Sequence, residues 1–166
     1  MIGSWKIVVL ALGSNLGDRK QILESAVEQL GLDKKIRVLD QSPLIESVAI
    51  TEAGPDDSKP QYLNGVLKIA TKHSPRGLLK KIALIEKLHG RERIKRWESR
   101  KLDIDIVSYE DKIFSSKNLT LPHPRAHERD FVLLPWSQMD PDAYLPGRGK
   151  VSDLLEKLPQ NLRLET

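Results

Sequence analysis

Hydrophobic and polar positions along the chain alternate between a few patterns, and each change of pattern marks an element. Ile7 to Leu12 is a continuous apolar run, too short for an export signal or a membrane span, and predicts a buried strand over Lys6–Leu12. Gly13, Ser14, Asn15 and Gly17 break it. Asp18 followed by Gln21 then predicts a helix start, with Ile22, Leu23, Ala26, Val27 and Leu30 on one face and Gly31 as a left-handed end. Arg37 to Thr51 predicts a second strand, broken at Ser42 and Pro43, and Glu52 to Pro60 an exposed loop. Alternation from Tyr62 to Thr71 puts Leu63, Leu67 and Ile69 on one side and Tyr62, Asn64, Val66 and Lys68 on the other. Ser74-Pro75 opens a helix carrying Leu78, Leu79, Ile82, Ile85 and Glu86, and Gly90 stops it. Leu102 to Tyr109 alternates again and turns at Glu110 and Asp111, with a hairpin partner expected near Lys112 to Phe114. Phe131 to Leu134 is apolar and ends at Pro135, and Val151, Leu154, Leu155 and Leu158 form a short amphipathic helix. The fold class expected is an α+β sandwich, a mainly antiparallel sheet with helices on one face.

Composition narrows this picture. The 166 residues fit one domain over 1–166, and 39% hydrophobic with 30% charged residues excludes a disordered chain. The absence of cysteine excludes disulfides and thiolate zinc sites and points to the cytoplasm. Net charge is +4, but between Arg91 and Lys101 six basic residues face two acidic ones. A local cluster of this kind suits a discrete anionic ligand rather than a nucleic-acid coat.

Asp103 and Asp105 stand two apart on a predicted strand, so their carboxylates leave one face with β-carbons roughly 7 Å apart. Such a pair holds one or two magnesium ions, or is simply a solvated strand face. Just before it run Arg91, Arg93, Lys95, Arg96, Trp97, Arg100 and Lys101, without apolar period. Phosphoryl transfer needs metal-binding carboxylates beside guanidinium groups, and Trp97 in a polar loop is expected to close over something. His123, framed by Pro122 and Pro124, is placed to donate to a phosphate, whereas His73, His89 and His127 read as surface residues. Gly13-Ser14-Asn15-Leu16-Gly17 lacks the lysine of a P-loop and is either a turn with a helix cap or a set of backbone N–H groups facing an anion or the polar edge of a ligand. An RNA-binding module and a two-metal nuclease compete with the transferase reading. Few aromatics (5%) argue against the first, and the lack of further acidic ligands in sequence, Glu86 apart, against the second.

Together, Gly13-Ser14-Asn15-Leu16-Gly17, Tyr62-Leu63-Asn64, Gly90-Arg91, Arg96-Trp97, Arg100-Lys101-Leu102-Asp103-Ile104-Asp105-Ile106, Leu121-Pro122-His123-Pro124-Arg125 and Glu128-Arg129-Asp130-Phe131 resemble the 6-hydroxymethyl-7,8-dihydropterin pyrophosphokinase family, from about Val8 to Pro141. The resemblance implies a ferredoxin-like fold and transfer of the β,γ-diphosphate of ATP to the pterin hydroxymethyl group, releasing AMP, in folate biosynthesis. It implies Asp103 and Asp105 as ligands of two magnesium ions, and these with Arg91 and Arg100 as catalytic. Tyr62 and Phe131 are implied to sandwich the pterin, with Asn64, Thr51 and Trp97 also contacting it. Glu86, Arg91, Arg93, Ile106, Thr120, His123 and Arg129 are implied on the nucleotide. The partners expected are ATP and the pterin, without nucleic acid or membrane, for a monomer.

Overall fold

The computed structural model describes residues 3–90 and 101–159. The first strand, β1 (Lys6–Ser14), leads into α1 (Arg19–Gly31), whose N-cap Asp18 accepts from the Gln21 backbone N–H at 3.2 Å. The chain returns as β2 (Ile36–Gln41) and β3 (Ile45–Ser47), makes the hairpin β4 (Ala49–Thr51) and β5 (Gly54–Asp56), and crosses the sheet as β6 (Tyr62–Thr71). Next comes α2 (Pro75–Leu88), capped by the Ser74 hydroxyl accepting from the Gly77 N–H, and then β7 (Asp103–Tyr109). A small hairpin, β8 (Phe114–Ser115) and β9 (Thr120–Leu121), precedes α3 (Asp130–Met139). The strands β10 (Tyr144–Leu145) and β11 (Gly149–Lys150) then lead into α4 (Val151–Lys157).

The main sheet runs β7–β1–β6–β2, with β3 pairing the start of β6 beside β2, and every pairing is antiparallel. Each of the first two helices joins strands that flank a third: α1 carries the chain from β1 to β2 past β6, and α2 from β6 to β7 past β1. This is the ferredoxin-like arrangement. Where β2 gives way to β3, Ser42 replaces the ladder: its N–H donates to the Val66 carbonyl and its hydroxyl accepts from the Val66 N–H.

Helices cover both faces of the sheet, not one. Val8, Leu10 and Leu12 of β1 face α1 and α2, packing with Leu23, Leu30, Leu78 and Ile82, whereas Val9 and Ala11 join Val66, Val107, Leu133 and Trp136 under α3 and α4. The uninterrupted apolar run of β1 is the cause, since a strand that buries both faces has no polar side to show.

Other expectations shift locally. Gly31 is the last helical residue of α1 and is not left-handed; Leu32 follows in a right-handed turn, its N–H on the Glu28 carbonyl. Part of the expected loop after Thr51 is the β4–β5 hairpin. The strand β8 pairs with β9 rather than with β7, whose outer edge is taken by the Glu86 carboxylate at the Ile104 N–H and by the His123 N–H at the Val107 carbonyl. Pro135 sits inside α3, where burial of Leu133, Leu134 and Trp136 outweighs the hydrogen bond that proline cannot donate. His73, His89 and His127 are not plain surface groups: His73 pairs with Asp33 at 2.8 Å, His89 bonds the Ile85 carbonyl and Ser25, and His127 is mostly buried.

Candidate active site

The register sets two rows across the α3 side of the sheet. Asn64, Gly13 and Asp103 stand abreast on β6, β1 and β7, and Val66, Ala11 and Asp105 form the next row. The central strand therefore offers only a hydrogen and a methyl group between an amide on one side and two carboxylates on the other. A β-carbon on Gly13 would lie 3.3 Å from Tyr62 Cδ1 and 3.4 Å from Asn64 Oδ1, so the glycine keeps the floor low where ring and amide converge. Over this floor opens a cleft of about 570 Å³.

Asp103 and Asp105 both line the cleft, and Leu102, Ile104 and Ile106 are buried on the opposite face, as the alternation predicts. Asp105 Oδ2 lies 3.6 Å from Arg129 Nη1 and 4.0 Å from His123 Nε2. The Arg125 backbone N–H donates to His123 Nδ1 at 3.1 Å, which makes that nitrogen the acceptor and leaves the proton on Nε2, turned toward Asp105. Burial and then the Arg129 charge push the imidazole pKa down to about 4, against the pull of Asp103, so the ring is neutral near pH 7. Arg129 also stands 5.7 Å from the centre of the Phe131 ring, at the start of α3.

On the other side, Asn64 is buried, and its amide nitrogen donates to Ser47 Oγ at 2.7 Å and to the Ile45 carbonyl at 3.3 Å. These bonds turn Oδ1 toward Gly13 as an acceptor at the floor. Glu86 of α2 is buried at the cleft edge, accepting from the Ile104 N–H at 3.2 Å.

Of the residues expected from sequence, Tyr62, Asn64, Glu86, Asp103, Asp105, His123, Arg129 and Phe131 come together in this cleft. Three do not line it. The Thr51 hydroxyl donates to the Gly54 carbonyl and accepts from the Ala53 N–H, closing the β4–β5 turn, while Ser47 to Ile50 supply the wall. Ile106 belongs to the core under α1 and α2, because it alternates with Asp105. Thr120 sits in the β8–β9 hairpin, 3.5 Å from the Ser115 hydroxyl. Arg91, Arg93, Trp97 and Arg100 lie outside the described residues. The residues bordering that segment meet, Lys101 Cδ lying 3.6 Å from where a Gly90 β-carbon would be, close in sequence to Glu86 and Asp103. Sequence reasoning missed Ser47 and Arg125. A three-residue strand has no periodicity to reveal the first, and Arg125 was seen only as part of a motif.

The Gly13–Gly17 segment stands between the two readings: part of it borders the cleft and part of it opens α1. Only Gly13 and Asn15 reach the cleft, and the first turn of α1 is capped by Asp18.

The model of one family, 7,8-dihydro-6-hydroxymethylpterin-pyrophosphokinase, matches residues 9–141, most of the chain. The chain belongs to that family. A 2-amino-4-hydroxy-6-hydroxymethyldihydropteridine pyrophosphokinase of Haemophilus influenzae is 34% identical over 89% of this chain and 90% of its own length. One of the same name from Methylorubrum extorquens is 38% identical over 90% and 91%. The folic acid synthesis protein fol1 of Schizosaccharomyces pombe is 41% identical over 96% of the chain, which spans only 21% of that longer protein. Among solved structures, wild-type HPPK-DHPS of Plasmodium falciparum shares the fold with a TM-score of 0.72 at 17% identity, over 93% of this chain and 45% of that one. The family match takes in both rows of the cleft floor, from Ala11 to Asp105, and the His123 to Phe131 wall.

Proposed function

We propose that this pyrophosphokinase-family chain transfers the β,γ-diphosphate of ATP to the hydroxymethyl oxygen of 6-hydroxymethyl-7,8-dihydropterin, with AMP leaving, in folate biosynthesis. One observation carries the reading: a carboxylate pair with an arginine and a neutral histidine beside it shares a single cleft with two aromatic rings and a buried amide. The first group suits phosphates, and the second a flat heterocycle with donors and acceptors on its edge.

The carboxylates fit magnesium. Asp103 and Asp105 offer hard oxygen donors on one face across from small residues, the one or two carboxylates that magnesium takes alongside water and phosphate oxygens. When bound there, magnesium would neutralise phosphate charge and polarise the phosphorus under attack. Arg129 and His123 Nε2–H point donors at the same place without proton transfer, because a guanidinium stays charged and this imidazole is already neutral. Tyr62 and Phe131 hold the heterocycle and exclude water, and Asn64 Oδ1 accepts from its N–H edge. Arg91, Arg93, Trp97 and Arg100 enter this proposal on the family resemblance, as further phosphate and ring contacts. The chain is proposed to work in the cytoplasm; among the described residues no helix is long and apolar enough to cross a membrane.

The test is AMP release from ATP and the reduced pterin with magnesium, for the parent and for Asp105→Asn. Turnover in the parent that falls at least about a hundredfold in the variant is expected. A parent that makes no AMP, or a variant as fast as the parent, overturns the reading.

A further inference from the structure

The helix that follows the Gly13–Gly17 segment reaches across to the heterocycle side of the cleft. Arg19, the first residue of α1, lays its guanidinium over two other segments: Nη1 donates to the Gln61 carbonyl at 3.0 Å and Nη2 to Glu46 Oε1 at 2.7 Å. Alongside it, Asn15 Nδ2 donates to the Pro60 carbonyl at 3.3 Å. Each acceptor of Arg19 is next in sequence to a cleft residue. Gln61 precedes Tyr62, and Glu46 precedes Ser47, whose hydroxyl orients the Asn64 amide.

We propose that Arg19 is a positioning residue for the heterocycle, a brace outside the cleft that holds the stretch leading into Tyr62 against the β3 edge. This rests on the substrate reading above. The strand β3 is held by its own ladder, which sets Ser47 opposite Tyr62 and Ile45 opposite Asn64, so what Arg19 adds is an anchor for the stretch that leads into Tyr62. Residues 57–61 lie between β5 and β6 in no helix or strand, folded locally by Ser58 and Lys59 N–H groups on Asp56. A planar guanidinium with two donors on two segments sets the distance between them, which a point-charge ammonium cannot do. The Arg19–Glu46 pair is partly exposed, so its contribution to global stability is small and its main effect is preorganisation of the site.

The experiment compares the full chain with Arg19→Ala and Arg19→Lys. Steady-state kinetics gives the KM for pterin, the KM for ATP and kcat, and amide hydrogen exchange over residues 58–64 is followed without substrates. For Arg19→Ala the pterin KM should rise about tenfold, with the ATP KM and kcat within about twofold of the parent, and exchange over 58–64 should quicken. Arg19→Lys, which keeps the charge near Glu46 but not the fork, should raise the pterin KM about threefold. It carries the test alone if the alanine variant does not fold. A pterin KM unchanged in the folded variants, or a loss shared equally by ATP, overturns the proposal. If the parent itself does not use the pterin, the substrate reading fails separately and exchange decides: unchanged rates over 58–64 remove the brace, and faster rates keep it.

Discussion

Arg129 Nη1 lies 3.6 Å from Asp105 Oδ2, at the boundary between the carboxylate pair and the Phe131 ring. Asp105 is about a third exposed, so the pair contributes at most about 1 kcal/mol to stability. Its importance is in placing a fixed positive charge where phosphates arrive. Arg129→Ala should lower kcat roughly a hundredfold to a thousandfold, while the unfolding free energy changes by no more than about 1 kcal/mol. Steady-state kinetics beside urea denaturation separates the two, and a variant that loses both in proportion would show Arg129 to be a structural residue.

Gly13 tests the shape of the floor. Its backbone is not among those with positive φ, so alanine meets no conformational penalty there. The new methyl would sit 3.3 Å from the Tyr62 ring and 3.4 Å from Asn64 Oδ1, tight enough to displace both. Gly13→Ala should weaken pterin binding by about tenfold and leave nucleotide binding near the parent value. Titration of each ligand into the variant checks this, and equal losses for both would place Gly13 under the phosphates instead.

The elements that carried the chemistry were legible because their signals are local. Alternation put Asp103 and Asp105 on one face and Ile104 on the other, and the same rule grouped Tyr62 with Asn64. Caps at Asp18 and Ser74 set the two helix starts. What escaped depends on partners distant in sequence. Only tertiary packing shows that Ile7 to Leu12 is covered on both faces, that Ser47 turns the Asn64 amide, or that Thr51 closes a hairpin beside the cleft. The apolar run from Phe131 ends at Pro135 in the sequence, yet α3 continues through the proline because burial of its neighbours outweighs the local penalty.

Outside the cleft lining, Asp33 gathers the Lys35 backbone N–H at 2.8 Å, His73 Nε2 at 2.8 Å and Lys81 Nζ at 3.8 Å. Burial alone would raise its carboxyl pKa, but these donors outweigh it and hold the group below its usual range. Asp33→Asn keeps the shape and removes the charge, and should cost about 1–2 kcal/mol at pH 7. A carboxylate depressed in the folded state stabilises above its unfolded pKa and loses that contribution as pH falls through the folded value. The gap between variant and parent should therefore close on acidification below about pH 3.8, the ordinary value for aspartate. Urea melts at pH 7 and pH 3 measure it, and a gap that persists unchanged would assign the effect to packing.

The opposite charge type gives a complementary pH window at the site itself. His123 is neutral in the folded chain down to about pH 4, chiefly because it is buried and then because Arg129 is near, whereas in the unfolded chain it titrates at its ordinary 6.5. Between those values the unfolded state binds the additional proton, so stability rises with pH through the window, is complete above 6.5 and falls as pH drops toward 4. His123→Asn cannot take up that proton. On going from pH 7 to pH 5 without ligands, the variant should lose less unfolding free energy than the parent, and the imidazole resonances of His123 should show no titration above about pH 5 by NMR. A midpoint near 6.5 would instead mean a solvated ring that takes up a proton just below neutral pH, without the burial that keeps it a neutral donor.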